Sequence, residues 1–512
     1  MIKNQRITHT IFIIALLLGL FILLASVSGV HAASTVYVNA TGGNDSNDGS
    51  INHPYKTIDQ ALKNVNINGT VKIANGIYKG KGNTDLTIDK NMKIIGQHQK
   101  KTIINGEGTN WIFTISKGID VTIMNLTLTN GTAKNGGAIY NNGTCTVKYS
   151  TFRGNKATES LKKDDGGAAI YNNGICNVKH CTFTDNKGTG TYSSGGAIYN
   201  DDTFTMSDCI FTNNTAGWGG AIANAGTIKT LSACTFIDNI ANKYGGAIYT
   251  YGICNVASCT FKGNNATYNG GAIYVNGDIF VTILTARFNR FVNNNAGTGN
   301  ALYSYDGSLD ARYNWWGSNT NPKNVSNLIA GQADKVDTDS WLVLTITPHK
   351  NTIDVNGKTI VTADLLHDNH GVYHDPASGH VHDGTVVTFS ASSGTLNPIT
   401  VELVNGSAVT TLAAHSEGKS IVRAAVDNQT VSTEVTVNPF KPAPVDPVKP
   451  IPVKPDSPNS DDNGTHNTNS NCTQYNTVHA SSKIDVQKTG LPLNYLILGI
   501  FLVLGGLVPK RK

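Results

Sequence analysis

Two pairs of adjacent carboxylates are the first residues whose chemistry is worth weighing: Asp164 with Asp165, and Asp201 with Asp202. Clustered carboxylates serve acid/base catalysis or hold calcium. If the corners that carry them align, the two pairs lie one repeat apart. The same residues serve equally as solvated turn residues. Five histidines, His367, His370, His374, His380 and His382, cluster in sequence with Asp368, Asp375 and Asp383. His380-x-His382 would set two imidazoles on one face of a strand, a geometry that suits a transition metal. A polar surface loop would use the same residues, and no metal or cofactor is assigned. Tyr140, Tyr171, Tyr199, Tyr249 and Tyr274 recur at one repeat position and would form an outward aromatic ridge. Such a ridge suits contact with glycans or proteins; the alternative is that it covers neighbouring backbone.

The composition narrows the function. Charged residues make up 15% of the 512-residue chain, against about 25% in ordinary globular proteins, and glycine numbers 53. The net charge is +5, but Lys3, Arg6, Lys510, Arg511 and Lys512 supply all of it, so the body between them is formally neutral. A nucleic-acid partner is therefore excluded, because no concentrated basic face is left to meet phosphates.

Those candidate residues must be positioned by a repeat. Gly-Gly-Ala-Ile-Tyr occurs at 136–140, 195–199, 245–249 and 270–274. Variants stand at 219–223, ending in Ala223, and at 167–171, with Ala168 in the second glycine slot. It alternates with Phe-x-x-Asn at Phe152/Asn155, Phe183/Asn186, Phe211/Asn214, Phe236/Asn239, Phe261/Asn264 and Phe291/Asn294. The isoleucines 139, 170, 198, 222, 248 and 273 are 31, 28, 24, 26 and 25 residues apart. A period near 25 with short alternating runs predicts one coil of a β-solenoid per repeat. Strand alternation puts Ile inward and Tyr outward, with Phe inward. Like asparagines stacked on successive coils should form a hydrogen-bonded ladder. The column before Phe reads Ser150, Cys181, Cys209, Cys234, Cys259 and Asn289. The eight cysteines could form disulfides outside a cell; the preferred reading is small buried side chains in a stack.

Residues 34–340 are expected to be this solenoid domain, with its repeats at about 131–305; residues 34 to about 320 would make roughly 11 coils at about 4.8 Å each. A short amphipathic helix at about 57–65 should cap it, because Ile58, Ala61, Leu62 and Val65 share one helical face and Thr57-x-x-Gln60 fits a capping box. The insertions 157–165 and 188–194 should bulge from one corner. Residues 341–438 read as about seven short strands, a β-sandwich. Residues 439–490 are a proline-rich stalk and polar linker. Residues 1–33 carry a charged start, an apolar run and Val30-His31-Ala32, as a secretory signal does. Leu491 to Val508 is an apolar stretch of bilayer length before a basic tip, so 491–512 is expected to be a transmembrane anchor with the rest outside the cell.

Several motifs resemble known families. Tyr37-Val38-Asn39, Gly43-Asn44-Asp45-Ser46-Asn47-Asp48-Gly49 and Pro54-Tyr55-Lys56-Thr57-Ile58 resemble the start of pectin-lyase-like right-handed β-helix proteins. The Gly-Gly-Ala-Ile and Phe-x-x-Asn pairing is similar to repeats of chlamydial polymorphic membrane proteins, which are adhesins. Tyr313-Asn314-Trp315-Trp316-Gly317-Ser318-Asn319 and the tail from Thr489 resemble adhesin-like surface proteins of methanogenic archaea. Asp368-Asn369-His370-Gly371-Val372, Gly384–Phe389 and Gly394-Thr395-Leu396 resemble bacterial Ig-like domains of the invasin type. The resemblances imply an all-β chain: a right-handed parallel β-helix, an Ig-like sandwich and one C-terminal transmembrane helix. They imply a non-catalytic cell-surface adhesin that binds glycans or proteins on other cells or host surfaces and is tethered to the membrane. The pectin-lyase resemblance carries the rival, a membrane-tethered polysaccharide lyase or hydrolase using the acidic pairs.

Overall fold

The computed structural model describes residues 33–158, 165–278, 282–332 and 335–441. The expected signal sequence, except Ala33, and the transmembrane anchor lie outside the described residues, as does nearly all of the stalk. Among the described residues no helix is long and apolar enough to cross a membrane.

Each repeat winds once. In one coil the chain runs through Ile198–Asn200, Thr203–Ser207, Ile210–Thr212 and Thr215–Trp218, then re-enters at Ile222–Asn224. Each of these strands pairs in parallel with its counterparts on the coils before and after, giving sheets of ten, twelve, nine and seven strands. The result is a parallel β-helix. It has twelve rungs where about eleven are expected, because the twelve-strand sheet runs on to Val336–Asp337.

Two bends per coil have a conformational cause. Tyr149, His180, Asp208, Ala233, Ser258, Phe288 and Tyr313 all hold φ between 49° and 59°, and each stands just before the Ser/Cys/Asn column. Asn130, Gly154, Asp185, Asn213, Asp238, Gly263 and Asn293 hold φ between 52° and 67° just before the next column, which from Asn155 onward is asparagine. Left-handed residues at both ends of each three-residue Phe strand turn the chain sharply. The first glycine of each Gly-Gly pair supplies a third such position. Gly219 has φ +61°, and a Cβ there would sit 2.0 Å from the carbonyl oxygen of Ile222. Ala168 fills the second slot, where no glycine has a positive φ; the first, Gly167, keeps φ +61°.

Like residues stack along the axis. Ile139, Ile170, Ile198, Ile222, Ile248 and Ile273 pair in register and are fully buried. The phenylalanine rings 152, 183, 211, 236, 261 and 291 stack with centroids 4.6–4.9 Å apart, and Trp316 closes the column at 4.9 Å from Phe291. Asn155, Asn186, Asn214, Asn239 and Asn264 each donate from Nδ2 to Oδ1 of the next asparagine at 2.9 Å, ending on Asn294. Each also donates to the Phe or Leu carbonyl of the coil before, so the buried amides are satisfied.

At the N-terminal end, the helix Ile58–Asn64 buries Ile58, Ala61 and Leu62. Half of the expected capping box is present, since the Gln60 amide donates to Thr57 Oγ1 at 3.4 Å. Asp45 fills the other half: its carboxylate accepts from the Thr57 N–H at 2.9 Å, while the Gln60 side chain turns to the Asp45 carbonyl.

Residues 342–438 form a four-strand antiparallel sheet and a five-strand sheet with one parallel pair, Thr352–Asp354 beside Gln429–Asn438. Val361 and Leu412 of the first pack with Val422, Val435 and Val437 of the second. This is nine strands where about seven are expected. The lobe is fastened to the end of the β-helix. Trp315, fully buried, lies in the sandwich core, and its Nε1 donates to Asp427 Oδ2 at 2.7 Å. Arg290 of the β-helix pairs with the same carboxylate, its Nε 3.0 Å from Oδ2.

Candidate functional site

Asp165 does not meet the pair Asp201 and Asp202. Asp164 lies outside the described residues. Asp165 is 7% exposed, and Lys134 Nζ is 3.0 Å from its Oδ2. Asp201 and Asp202 are exposed in the turn between Ile198–Asn200 and Thr203–Ser207. The expectation that the pairs share a corner is corrected by register. Gly166 stands opposite Ser194 and Asn172 opposite Asn200, so Asp165 precedes the ten-strand sheet and Asp201 follows it. The two excursions, 157–165 and 188–194, do leave the same corner, between the seven-strand and ten-strand sheets.

The histidines are also separated. His380 and His382 lie in a loop, not on a strand. His380 Nδ1 is 2.9 Å from the Val381 carbonyl, and His382 Nε2 reaches the Ala233 carbonyl of the β-helix at 3.1 Å. His367 pairs with Asp364 at 2.8 Å and His374 with Asp368 at 3.1 Å. Burial alone would raise the Asp368 carboxyl, but the Val372 and His370 amides and His374 outweigh it and hold it below the usual carboxylate range. Asp368 thereby ties down the turn 368–374. Among the described residues no three His, Cys, Asp or Glu side chains stand close enough to hold a metal ion.

The seven cysteines 145, 176, 181, 209, 234, 254 and 259 are free and buried. In the column before Phe, each sulfur stands where asparagine stands further on. Cys209, Cys234 and Cys259 Sγ accept from the amides of Cys181, Cys209 and Cys234 at 3.4 Å, and Asn289 Oδ1 then accepts from Cys259 at 2.9 Å. Burial pushes the Cys254 thiol up to about 12. All seven side chains are shut away from solvent, so no reagent reaches them in the folded protein. A thiol reagent is expected to label the seven only after denaturation; labelling of any of them at native-state rates would show an open coil.

The tyrosine column is real but covered. Tyr140, Tyr171 and Tyr199 stack at 5.0 Å, on the side of the sheet opposite the buried isoleucines. At the next rung the slot holds Ala223, and the indole of Trp218 takes part in its place, 6.1 Å from Tyr249. Tyr249, Tyr274 and Tyr303 continue at 5.4 and 5.2 Å. Instead of an open ridge, Tyr171, Tyr199, Tyr249 and Tyr274 are all under 9% exposed, and Tyr140 is half-buried. The cause is a flank from the seven-strand sheet. Trp218 and Tyr244 end its strands and lean on the column, Tyr244 lying 4.8 Å from Tyr274. The Tyr199 and Tyr251 hydroxyls share a hydrogen bond at 2.7 Å.

The solvent-facing aromatics are residues the sequence reading missed. Tyr192 is 45% exposed and Tyr268 52%. Lys243 Nζ lies 4.2 Å from the Tyr192 ring centroid and 5.1 Å from that of Trp218. Tyr268 meets Tyr244 at 5.7 Å. A signal was available: Trp218 and Tyr244 stand immediately before Gly-Gly, and Tyr268 stands two places before it. The face therefore has buried tyrosines as its floor and exposed aromatics with one ammonium as its rim. Amphipathic rings of this kind bind sugars or protein side chains at low conformational cost.

In structure the chain is similar to a rhamnogalacturonan lyase, with 12% identity and a TM-score of 0.32 over 61% of this chain and 87% of that chain. No curated protein matches it in sequence. Residues 135–314 match the family model described as "Right handed beta helix region", so the coils from Asn135 to Asn314 form a right-handed parallel β-helix.

Proposed function

We propose that this protein is a non-catalytic, adhesin-like surface protein whose β-helix binds glycans or proteins on other cells. The observation that carries the reading is the rim of exposed Tyr192 and Tyr268 with Lys243, set on a floor of stacked tyrosines and Trp218. The resemblance of the Gly-Gly-Ala-Ile and Phe-x-x-Asn repeats to adhesin repeats supports it, as do the apolar segments near both chain ends. In this reading residues 1–33 direct export, the sandwich is an Ig-like spacer, 439–490 form a stalk, and 491–512 hold the chain in the membrane at the cell surface.

The test is binding of the full chain, displayed on cells or vesicles, to partner cells and to glycan arrays. Tyr192→Ser with Tyr268→Ser is expected to lower binding about tenfold or more, the loss of roughly two aromatic contacts at about 0.5–1.5 kcal/mol each. Unchanged adhesion would remove the rim from the account. Release of unsaturated oligosaccharides or new reducing ends from acidic polysaccharides, abolished by Asp201→Ala, would replace adhesion with degradation.

A further inference from the structure

A second aromatic surface opens near the N-terminal end of the tyrosine column. Trp111 and Tyr140 line a cleft of about 520 Å³ with Thr114, Thr132, Lys134 and Asn135. That volume lies within the range of small-molecule sites. Trp111 is 41% exposed, although it sits two residues ahead of the buried strand Phe113–Ile115. Tyr140 stands opposite Thr114 in register, one rung further on. The two residues are thus carried on adjacent rungs, and rungs are about 4.8 Å apart along the axis.

The polar groups and the charge balance narrow the ligand. Among the described residues Lys134 is the one charged side chain lining the cleft, and its ammonium is held 3.0 Å from Asp165. The described lining therefore carries little net charge to offer an anion. Thr132 Oγ1 is shielded from solvent and has no hydrogen-bond partner among the described residues. Asn135 Oδ1 accepts from the Gly166 amide at 2.9 Å, which fixes the orientation of its side chain in the wall. Aromatic planes, an amide and hydroxyls with no free charge match the surface of an uncharged sugar, which has an apolar C–H face and a rim of hydroxyls.

We infer that the Trp111–Tyr140 cleft binds an uncharged pyranose oligosaccharide, stacked on Trp111, with the polar side chains of the lining beside its hydroxyls. The inference rests on the glycan-binding half of the proposed function and names the ligand class at a subsite apart from the Tyr192–Tyr268 rim. A uronate or sulfated chain is disfavoured because Asp165 already engages the cleft's ammonium.

The experiment is equilibrium binding of the full chain to two panels, neutral hexose oligosaccharides and uronate oligosaccharides, followed by tryptophan fluorescence. Neutral oligosaccharides are expected to bind, to shift the emission and to shield Trp111 from iodide. Trp111→Ala should weaken them about tenfold or more and Trp111→Phe less, while Lys134→Gln should change affinity less than about twofold. The thermal midpoint should be unchanged in each variant, which separates a lost contact from a lost fold. Preference for uronates, with affinity lost in Lys134→Gln, would overturn the inference. Neutral binding that survives Trp111→Ala but is lost in the Tyr192/Tyr268 double variant would also overturn it and leave the proposed function standing. Adhesion to cells without any oligosaccharide binding would do the same in favour of a protein partner, and absence of both would overturn inference and proposed function together.

Discussion

Asn214→Leu is expected to destabilise the β-helix by about 3–5 kcal/mol, among the largest effects a single substitution can have here. Leucine is close in volume, so the loss is polar. Asn214 Oδ1 accepts from both the backbone amide and Nδ2 of Asn186, at 3.1 and 2.9 Å. Its Nδ2 donates to the Phe183 carbonyl at 3.0 Å and to Asn239 Oδ1 at 2.9 Å. All of these groups are buried, and no water can replace the lost amide without opening a coil. Each abandoned group costs about 1–3 kcal/mol, and partial relaxation keeps the total below the simple sum. The measurement is the urea midpoint, followed by both far-ultraviolet circular dichroism and tryptophan emission, because a solenoid can lose coils one at a time. A loss under about 1 kcal/mol would mean that the ladder is not what holds the turns.

Gly219→Ala should cost about 2–5 kcal/mol, for two reasons that add. A left-handed backbone costs an L-residue about 1–2 kcal/mol. The new methyl would also stand 2.0 Å from the Ile222 carbonyl oxygen, and moving that backbone disturbs the bonds to the coils on both sides. Overpacking of this kind adds about 1–3 kcal/mol. Gly108→Ala is the control. Gly108 has φ +77°, and a methyl added there would meet nothing within 4 Å, so only the conformational part, about 1 kcal/mol, should be lost. Equal losses at the two sites would show that steric contact at Gly219 contributes nothing. The comparison is made by thermal and urea unfolding of the two variants beside the parent chain.

The winding was legible because a solenoid makes each position repeat its own environment. Ile198, Ile222 and Ile248 recur in sequence, and they lie in one buried column. The same holds for the phenylalanine and asparagine columns. The capping helix was legible from the spacing of Ile58, Ala61 and Leu62, but its capping partner was not. Asp45 reaches Thr57 from 12 residues away, through a loop whose path no local pattern states. The cysteines were legible as a stack of small side chains, and the structure adds that their sulfurs accept backbone hydrogen bonds as asparagine oxygens do on later coils.

The site was less legible. Periodicity says on which side of a strand Tyr199 lies, but not what covers that side. Trp218 and Tyr244, from another sheet of the same coil, close over the column, and exposure passes to Tyr192, Tyr268 and Trp111. Adjacent aspartates state a turn but not which of several corners the turn occupies, so Asp165 and Asp201 were expected as neighbours and stand at opposite ends of one strand position. His380-x-His382 has strand spacing, yet the loop that carries it is drawn against the β-helix by His382 and the Ala233 carbonyl.

By itself, then, the order of residues determined the period, the inward columns and the places where the chain must turn. Each depends on contacts between a residue and its own repeat, so the same physics acts at every copy. Only the tertiary structure decided which aromatics face solvent, which acidic groups are neighbours, and that the second lobe is fastened to the β-helix through Trp315, Arg290 and Asp427. Those outcomes depend on contacts between unlike segments, made once each, and no repetition in the sequence announces them.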